Sequence, residues 1–234
     1  MTRTEGGGTR ADEVFDAIRA AILYGVLAPG ERLKFDDLRE RFSCSVSAAR
    51  ESLTRLSAQG LVSVEPHVGF SVVQLSVGAL VELTEARVEI ETLALRLSIE
   101  RGNLAWEQRV VSSCHLLSRI PLGEPDAKGV PQLSEPWAAA HADFHHALLE
   151  GCGNSRLLEV ASQLRDSAEL YRRWSVWMGD EPHRDVAAEH SELRDQALDR
   201  DTDAAVAALR RHITHTTDLL LSGARTSEER TTAS

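Results

Sequence analysis

Several features of secreted and membrane proteins are missing from this sequence. No uninterrupted apolar run approaches the roughly 20 residues that span a bilayer, and the first ten residues lack the apolar stretch and cleavage pattern of a secretion signal. The three cysteines, Cys44, Cys114 and Cys152, are widely spaced without a CxxC motif, which argues against a disulfide framework or a thiolate zinc site. These absences predict a cytoplasmic protein with reduced thiols and no membrane partner.

Glycine and proline are also scarce. The 234 residues include only 15 Gly and 7 Pro, while 42% are hydrophobic, which excludes collagen-like and broadly disordered classes. The net charge is −10, but residues 1–75 hold 9 basic and 10 acidic side chains, and the remainder holds 17 and 26. Overall charge therefore gives no support to nucleic-acid binding, and any DNA contact must come from locally placed basic groups. The contrast between the two parts predicts two domains.

The first 75 residues predict three helices followed by a β-hairpin. Apolar residues recur at helical spacing from about Asp12 to Tyr24, and Pro29-Gly30 ends that pattern. Ser45 can cap a third helix that stops at Gly60. Apolar and polar residues then alternate on both sides of a turn at residues 67–69. Two short helices, a tight turn and a hairpin are typical of a winged helix-turn-helix.

From residue 76 onward, helical periodicity predicts a mainly α fold, an antiparallel bundle of about six helices. The predicted helices cover residues 77–101, 104–119, 135–151, 155–178, 183–199 and 202–222. Four of the seven prolines fall in residues 121–136, which predicts a loop inside the bundle. The predicted divisions are a mobile tail at 1–10, a winged helix-turn-helix domain at 11–75, a helical effector and dimerisation domain at 76–222 and a mobile tail at 223–234.

The third predicted helix carries candidate DNA-reading residues. Ser45, Ser47 and Arg50 lie off its apolar stripe, where Arg50 can contact a phosphate or a guanine edge and the serines can contact phosphate. The pattern alone also allows a small helical domain with an ordinary solvated arginine.

Residues 17–73 resemble the DNA-binding domain of the GntR family of bacterial transcription regulators. The resemblance is carried by GVLAPGERL, by SVSAARESL and by LSAQGLV, in that order. It implies groove contacts from the following residues: Asp36, Ser45, Val46, Ser47, Arg50 and His67, with Gly69 in the wing. Val46 stands where relatives often carry arginine, so we expect weaker binding or a divergent operator.

Four histidines in the second part form a candidate metal site. His141 and His145 are four residues apart on a predicted helix, which places them only about 40° apart on its face. His190 and His212 belong to two later helices. Imidazoles converging from three helices would suit zinc, nickel or manganese. Taken singly, each histidine is more often a surface or hydrogen-bonded residue, and spacing alone leaves both interpretations open.

Residues 80–220 resemble the FCD ligand-binding domain of the FadR subfamily of GntR regulators. The pattern R-x-x-x-E at Arg87, the stretch HADFHHALLEGCGN and the final two helices carry this resemblance. It implies one divalent transition metal per subunit, zinc first and nickel or manganese as alternatives, held by Asp or Asn and three histidines. His141 stands at the Asp/Asn position. We prefer four-histidine coordination, with a three-histidine site and His141 turned away as the alternative.

Residues around the histidines can bind the effector or orient the rings. Arg87 can pair with a carboxylate, and an ion pair with Glu91 is the alternative. Glu91, Asp185 or Glu189 can orient an imidazole.

The resemblance implies a metabolite-responsive regulator rather than an enzyme. We expect a homodimeric repressor, associated with the nucleoid, that binds double-stranded operator DNA and responds to a small organic acid at a metal-containing pocket. One alternative is a metal-dependent hydrolase, for which no general base is evident. The other is a DNA-binding regulator whose metal is purely structural.

Overall fold

A computed structural model describes residues 10–23, 26–65, 69–74, 76–123, 133–175 and 185–232, excepting the side chains of 174–175, 220 and 223–232. The chain divides into two compact units, Met1–Ser76 and Val77–Ser234. Within the described ranges, no helix combines the length and apolar character needed to cross a bilayer.

The described part of the first unit contains three helices and a small antiparallel sheet. The elements are α1 Arg10–Leu23, β1 Arg32–Leu33, α2 Phe35–Phe42, α3 Val46–Ala58, β2 Val62–Glu65 and β3 Gly69–Val72. The strands lie in the order β1-β3-β2, with Val64 of β2 opposite Phe70 of β3. The winged helix-turn-helix prediction is confirmed. Strand β1 was not predicted because two residues are too few to show alternation.

Helix α3 is fixed at both ends by residues that the sequence singled out. The Ser45 hydroxyl accepts a hydrogen bond from the Ala48 N–H at 3.1 Å, which caps the first turn. After the helix the chain turns at Gly60, whose φ of +71° is readily adopted only without a side chain. Leu53 and Leu56 are fully buried on the side that packs against α1. The opposite side of α3 is therefore left exposed.

The second unit contains six helices in the part of it that the structure describes. They are α4 Val77–Arg101, α5 Leu104–Ser118, α6 Glu135–Glu150, α7 Ser155–Ser175, α8 Val186–Leu198 and α9 Thr202–Thr232. The bundle prediction is confirmed. Helix α9 continues to Thr232, past the predicted end at residue 222. The predicted mobile tail at 1–10 falls, apart from Arg10, outside the described residues, as do 233–234 of the other tail.

The bundle core surrounds the middle of α6. Leu95 of α4, Val110 of α5 and Leu209 of α9 join Phe144 and Leu148 of α6 in one buried apolar cluster. Helix α4 packs against α6, α7 and α9, while α8 packs against α5 and α9. Polar residues on the inner faces of these helices are consequently held inside the unit.

Candidate metal centre and DNA-reading helix

The four histidines of the candidate metal site lie together in the second unit. His141 and His145 are on α6, His190 is on α8 and His212 is on α9. All four are buried, and each offers one nitrogen that lies within 4.8 Å of the others'. The distances between ring centroids run from 4.5 to 6.1 Å. Tetrahedral zinc with Zn–N bonds of about 2.0–2.1 Å needs nitrogens about 3.4 Å apart, so small side-chain adjustments would close the site around an ion.

Helix α6 presents two of these rings because of its spacing and its cap. The Ser134 hydroxyl accepts from the Trp137 N–H at 3.1 Å and fixes the first turn. His141 and His145 follow one turn apart on the inner face. Asp143, two residues after His141, points away from them and binds Arg109, with Nη1 and Oδ2 3.0 Å apart. The rotation expected from helix geometry therefore separates this carboxylate from the histidines.

Burial favours the neutral form of two of the rings. It holds the pKa of His141 and of His145 well below the ordinary 6.5, and the Arg172 cation adds to the effect at His141. A neutral imidazole is the ligating form. Nε2 of His145 is shielded from solvent and has no hydrogen-bond partner in the described part of the chain. A buried polar atom left unpaired costs about 1–3 kcal/mol, which a bound cation would offset. The donor set fits a transition metal.

A carboxylate orients the ring of His212. Nδ1 of His212 lies 2.6 Å from Oε2 of Glu189 on α8, and Nδ1 of His215 lies 3.7 Å from the other carboxylate oxygen. A proton donated from Nδ1 to Glu189 leaves the ring's lone pair on Nε2. Asp185, also considered for this role, instead caps α8 by accepting from the Ala188 N–H at 2.9 Å.

His141 has different surroundings, which the sequence did not indicate. Its ring stacks on Trp137, with centroids 4.7 Å apart and an interplanar angle of 20°. Nη1 of Arg172 on α7 lies 2.5 Å from its Nδ1. Arg172 also forms an ion pair with Glu169. The Arg172 contact joins positions 31 residues apart on different helices, and periodicity within one helix cannot reveal it.

Arg87 forms the ion pair with Glu91 that the i, i+4 spacing also allows. Its Nε donates to Oε1 of Glu91 at 2.8 Å, and Glu91 has no exposed side-chain surface. Oε2 of Glu91 and Nη1 of Arg165 on α7 are both buried without a hydrogen-bond partner among the described residues. Burial lowers the pKa of Arg165, and the Glu91 carboxylate opposes that shift. Arg87 and Arg165 both act electrostatically on His145, so a basic region borders the histidines.

The predicted DNA-reading residues occupy the exposed side of α3. Ser45, Ser47 and Arg50 are all exposed. The guanidinium of Arg50 lies 4.7 Å from the centroid of the Phe35 ring, which supports it from α2. Gly69 begins β3 with a φ of +104°. His67, the predicted wing contact, lies outside the described residues.

Two sequence families match the two units. Residues 10–72 match the family described as "Bacterial regulatory proteins, gntR family", and residues 82–215 match the FCD domain. All four histidines and Arg87 lie inside the second match, and α3 lies inside the first.

Relatives of known name span most of the chain. An HTH-type transcriptional regulator named BphR from Paraburkholderia xenovorans is 38% identical over 202 residues, covering 86% of this chain and 81% of that protein. The HTH-type transcriptional repressor GlaR from Escherichia coli is 32% identical over 197 residues, covering 82% and 87%. Among solved structures, E. coli McbR/YncC has a TM-score of 0.69 at 20% identity and covers 92% of this chain and 99% of its own. That likeness supports the fold.

Proposed function

This chain belongs to the GntR family of bacterial regulatory proteins and carries an FCD domain, and on that basis we propose that it represses transcription in response to a small carboxylate. The family makes it a DNA-binding transcriptional regulator and not an enzyme, which removes the hydrolase alternative. The observation that carries the sensing part of the proposal is the buried cluster of His141, His145, His190 and His212.

The cluster would hold one divalent transition metal ion per subunit. All four rings, His141, His145, His190 and His212, are candidate ligands, with a three-histidine site as the alternative. An all-nitrogen donor set suits zinc best, with nickel and manganese as alternatives. When bound, the ion supplies a Lewis-acid position at which a carboxylate oxygen can coordinate. The protein's own part is to keep the rings neutral and, through Glu189, to orient His212.

Arg87 would bind the carboxylate oxygen of the effector that does not coordinate the metal ion. Its side chain is 15% exposed and already aligned by Glu91. A guanidinium presents several donors in one plane, so Arg87 can keep its bond to Glu91 while it donates to a second anionic partner. Arg165 adds a second guanidinium near Arg87, and this second cation favours an anionic ligand over a neutral one.

DNA binding would use α3 and the wing of each subunit, so that a homodimer contacts two half-sites. Arg50 is the main base or phosphate contact, with Ser45 and Ser47 at the helix N-terminus and His67 and Gly69 in the wing. One recognition helix reads only a few base pairs, so two copies are needed for affinity and specificity. The name of the relative GlaR as a repressor supports the same direction of control here. The effector would act by binding more tightly to the state with lower DNA affinity.

The proposal is tested by measuring metal content and operator response on the same protein. Sequencing DNA recovered with the purified full-length protein identifies an operator for binding assays. The native protein should bind one metal ion per subunit. The paired change His145→Ala and His190→Ala is expected to abolish this binding. His115→Ala, which removes an exposed histidine on α5, should leave it intact. Unchanged metal content in the paired variant would refute the site. Chelation that lowers the unfolding temperature but leaves the effector response of the folded protein intact would favour a structural metal.

A further inference from the structure

Arg172 contacts His141, the ring that stands where the family resemblance implies an Asp or Asn ligand. We propose that Arg172 withholds His141 from the metal, so that three histidines hold the ion while this contact lasts. Arg172 is a positioning residue in this account, since it acts through His141. The inference rests on the proposed metal site and adds to it which ring is kept out and by what.

The geometry of the contact occupies the lone pair that a metal would need. Nη1 of Arg172 lies 2.5 Å from Nδ1 of His141 and 3.4 Å from its Nε2. A guanidinium stays protonated and only donates, so Nδ1 must accept. A neutral imidazole that accepts on Nδ1 carries its proton on Nε2. Neither nitrogen of His141 then has a lone pair to offer an ion.

The surrounding residues hold both partners of this contact in place. Glu169, one turn earlier on α7, pairs with Arg172 and also accepts from Nε of Arg173 at 2.6 Å. Arg173 is only 4% exposed and reaches Glu135 of α6 at 2.8 Å. On the other side, Trp137 stacks on His141, and the Arg172 guanidinium lies 5.5 Å from the Trp137 ring centroid. The contact is therefore part of a network between α6 and α7.

The charges beside two of the histidines have opposite signs. Glu189 places an anion against His212, which favours electron donation to a cation. Arg172 places a cation against His141, and two like charges that share one ring repel each other. The neighbouring charges thus favour metal coordination by His212 and oppose coordination by His141.

Metal binding to variants of the full-length protein tests this role with the metal alone as the probe. Arg172→Gln removes the cation and should raise the affinity for zinc, measured by competition with a chromophoric chelator, by about 10- to 100-fold. The Co²⁺-loaded variant should also show a changed visible absorption band, because a fourth nitrogen joins the ion. Arg172→Met is the second variant. In both Arg172 variants, Glu169 still accepts a hydrogen bond from Arg173. Arg156→Gln is the matched control, since Arg156 is an 88% exposed arginine on the same helix.

A double-variant cycle shows whether Arg172 acts through His141. His141→Ala alone should leave zinc affinity and the Co²⁺ spectrum nearly unchanged, and in the Arg172→Gln background it should cancel the gain. Circular dichroism confirms that each variant is folded. Equal or weaker zinc binding in both Arg172 variants, or a loss with His141→Ala as large as with His145→Ala, would overturn the inference. A native protein that binds no metal would instead refute the proposed function.

Discussion

Glu189 and His212 form a carboxylate–imidazole pair across α8 and α9, with Oε2 and Nδ1 2.6 Å apart. The pair fixes which nitrogen of His212 keeps its lone pair and restrains the orientation of the ring. Because the carboxylate also increases the basicity of the ring, its charge should contribute to metal affinity without contacting the ion.

Glu189→Gln tests that contribution. The amide keeps the size of the side chain but removes its charge, so zinc affinity should fall about 10-fold. Competition with a chromophoric chelator measures the change. Glu192→Gln is the control, since Glu192 lies on the same helix but pairs with Arg211 on the outer surface at 2.7 Å. Equal affinities for the two variants would show that Glu189 has no part in metal binding.

Arg50→Ala should weaken operator binding with little change in folding. Loss of one base or phosphate contact costs about 1–3 kcal/mol per half-site, and a dimer loses it twice. Fluorescence anisotropy with labelled operator DNA measures the affinity. Arg50 also lies over Phe35, so a thermal unfolding scan must accompany the assay. Arg156→Ala, which removes an exposed arginine of the second unit, is the matched control. Binding near the native level by a folded Arg50→Ala protein would contradict the assignment of α3.

Arg87→Ala should affect stability as well as effector binding. Removing the guanidinium leaves Glu91, which has no exposed side-chain surface, without its ion-pair partner. An uncompensated buried charge of this kind costs about 3–5 kcal/mol. Urea unfolding of the native, Arg87→Ala, and combined Arg87→Ala and Glu91→Gln proteins should therefore show a large loss that the second change partly restores.

The combined variant also isolates the effector role. If Arg87 binds a carboxylate, the combined variant, once folded, should bind operator DNA normally but lose the response to effector. Loss of DNA binding and effector response together would instead point to misfolding. A normal effector response would exclude Arg87 as the carboxylate contact.

Much of the fold could be predicted because its elements carry strong local signals. Ser45 and Gly60 mark the ends of α3, and the proline-rich stretch at 121–136 separates α5 from α6. The pairing of His141 with His145 followed from helix geometry, as did the outward direction of Asp143. These features depend on residues within one or two turns of each other.

Features that depend on tertiary contacts could not be predicted in the same way. Nothing in the sequence places Arg172 beside His141, because the relative rotation of α6 and α7 is set by packing along their whole length. Arg165 was missed for the same reason. The choice of Glu189 over Asp185 as the partner of His212 depends on where α8 begins, and Asp185 is used as its cap.

The stability of the metal-free protein should fall as the pH drops below about 6.5. In the folded protein, burial lowers the pKa of His141 and His145 well below 6.5, whereas the unfolded chain takes up protons near that value. The unfolded state then binds more protons, and the free energy of unfolding decreases by up to about 1.4 kcal/mol per pH unit for each ring. Well above pH 6.5 neither state protonates these rings, so their contribution is constant.

Urea unfolding of the chelator-treated protein between pH 5.5 and 7.5 measures this slope. His145→Ala should flatten it by about one ring's share, while His115→Ala, which removes an exposed histidine, should leave it close to that of the native protein. Saturating zinc should raise the stability across this pH range, because the ion binds the folded chain. Equal stability at pH 5.5 and 7.5 in the metal-free native protein would mean that these rings accept protons in the folded state, which is incompatible with burial of His141 and His145 as neutral imidazoles.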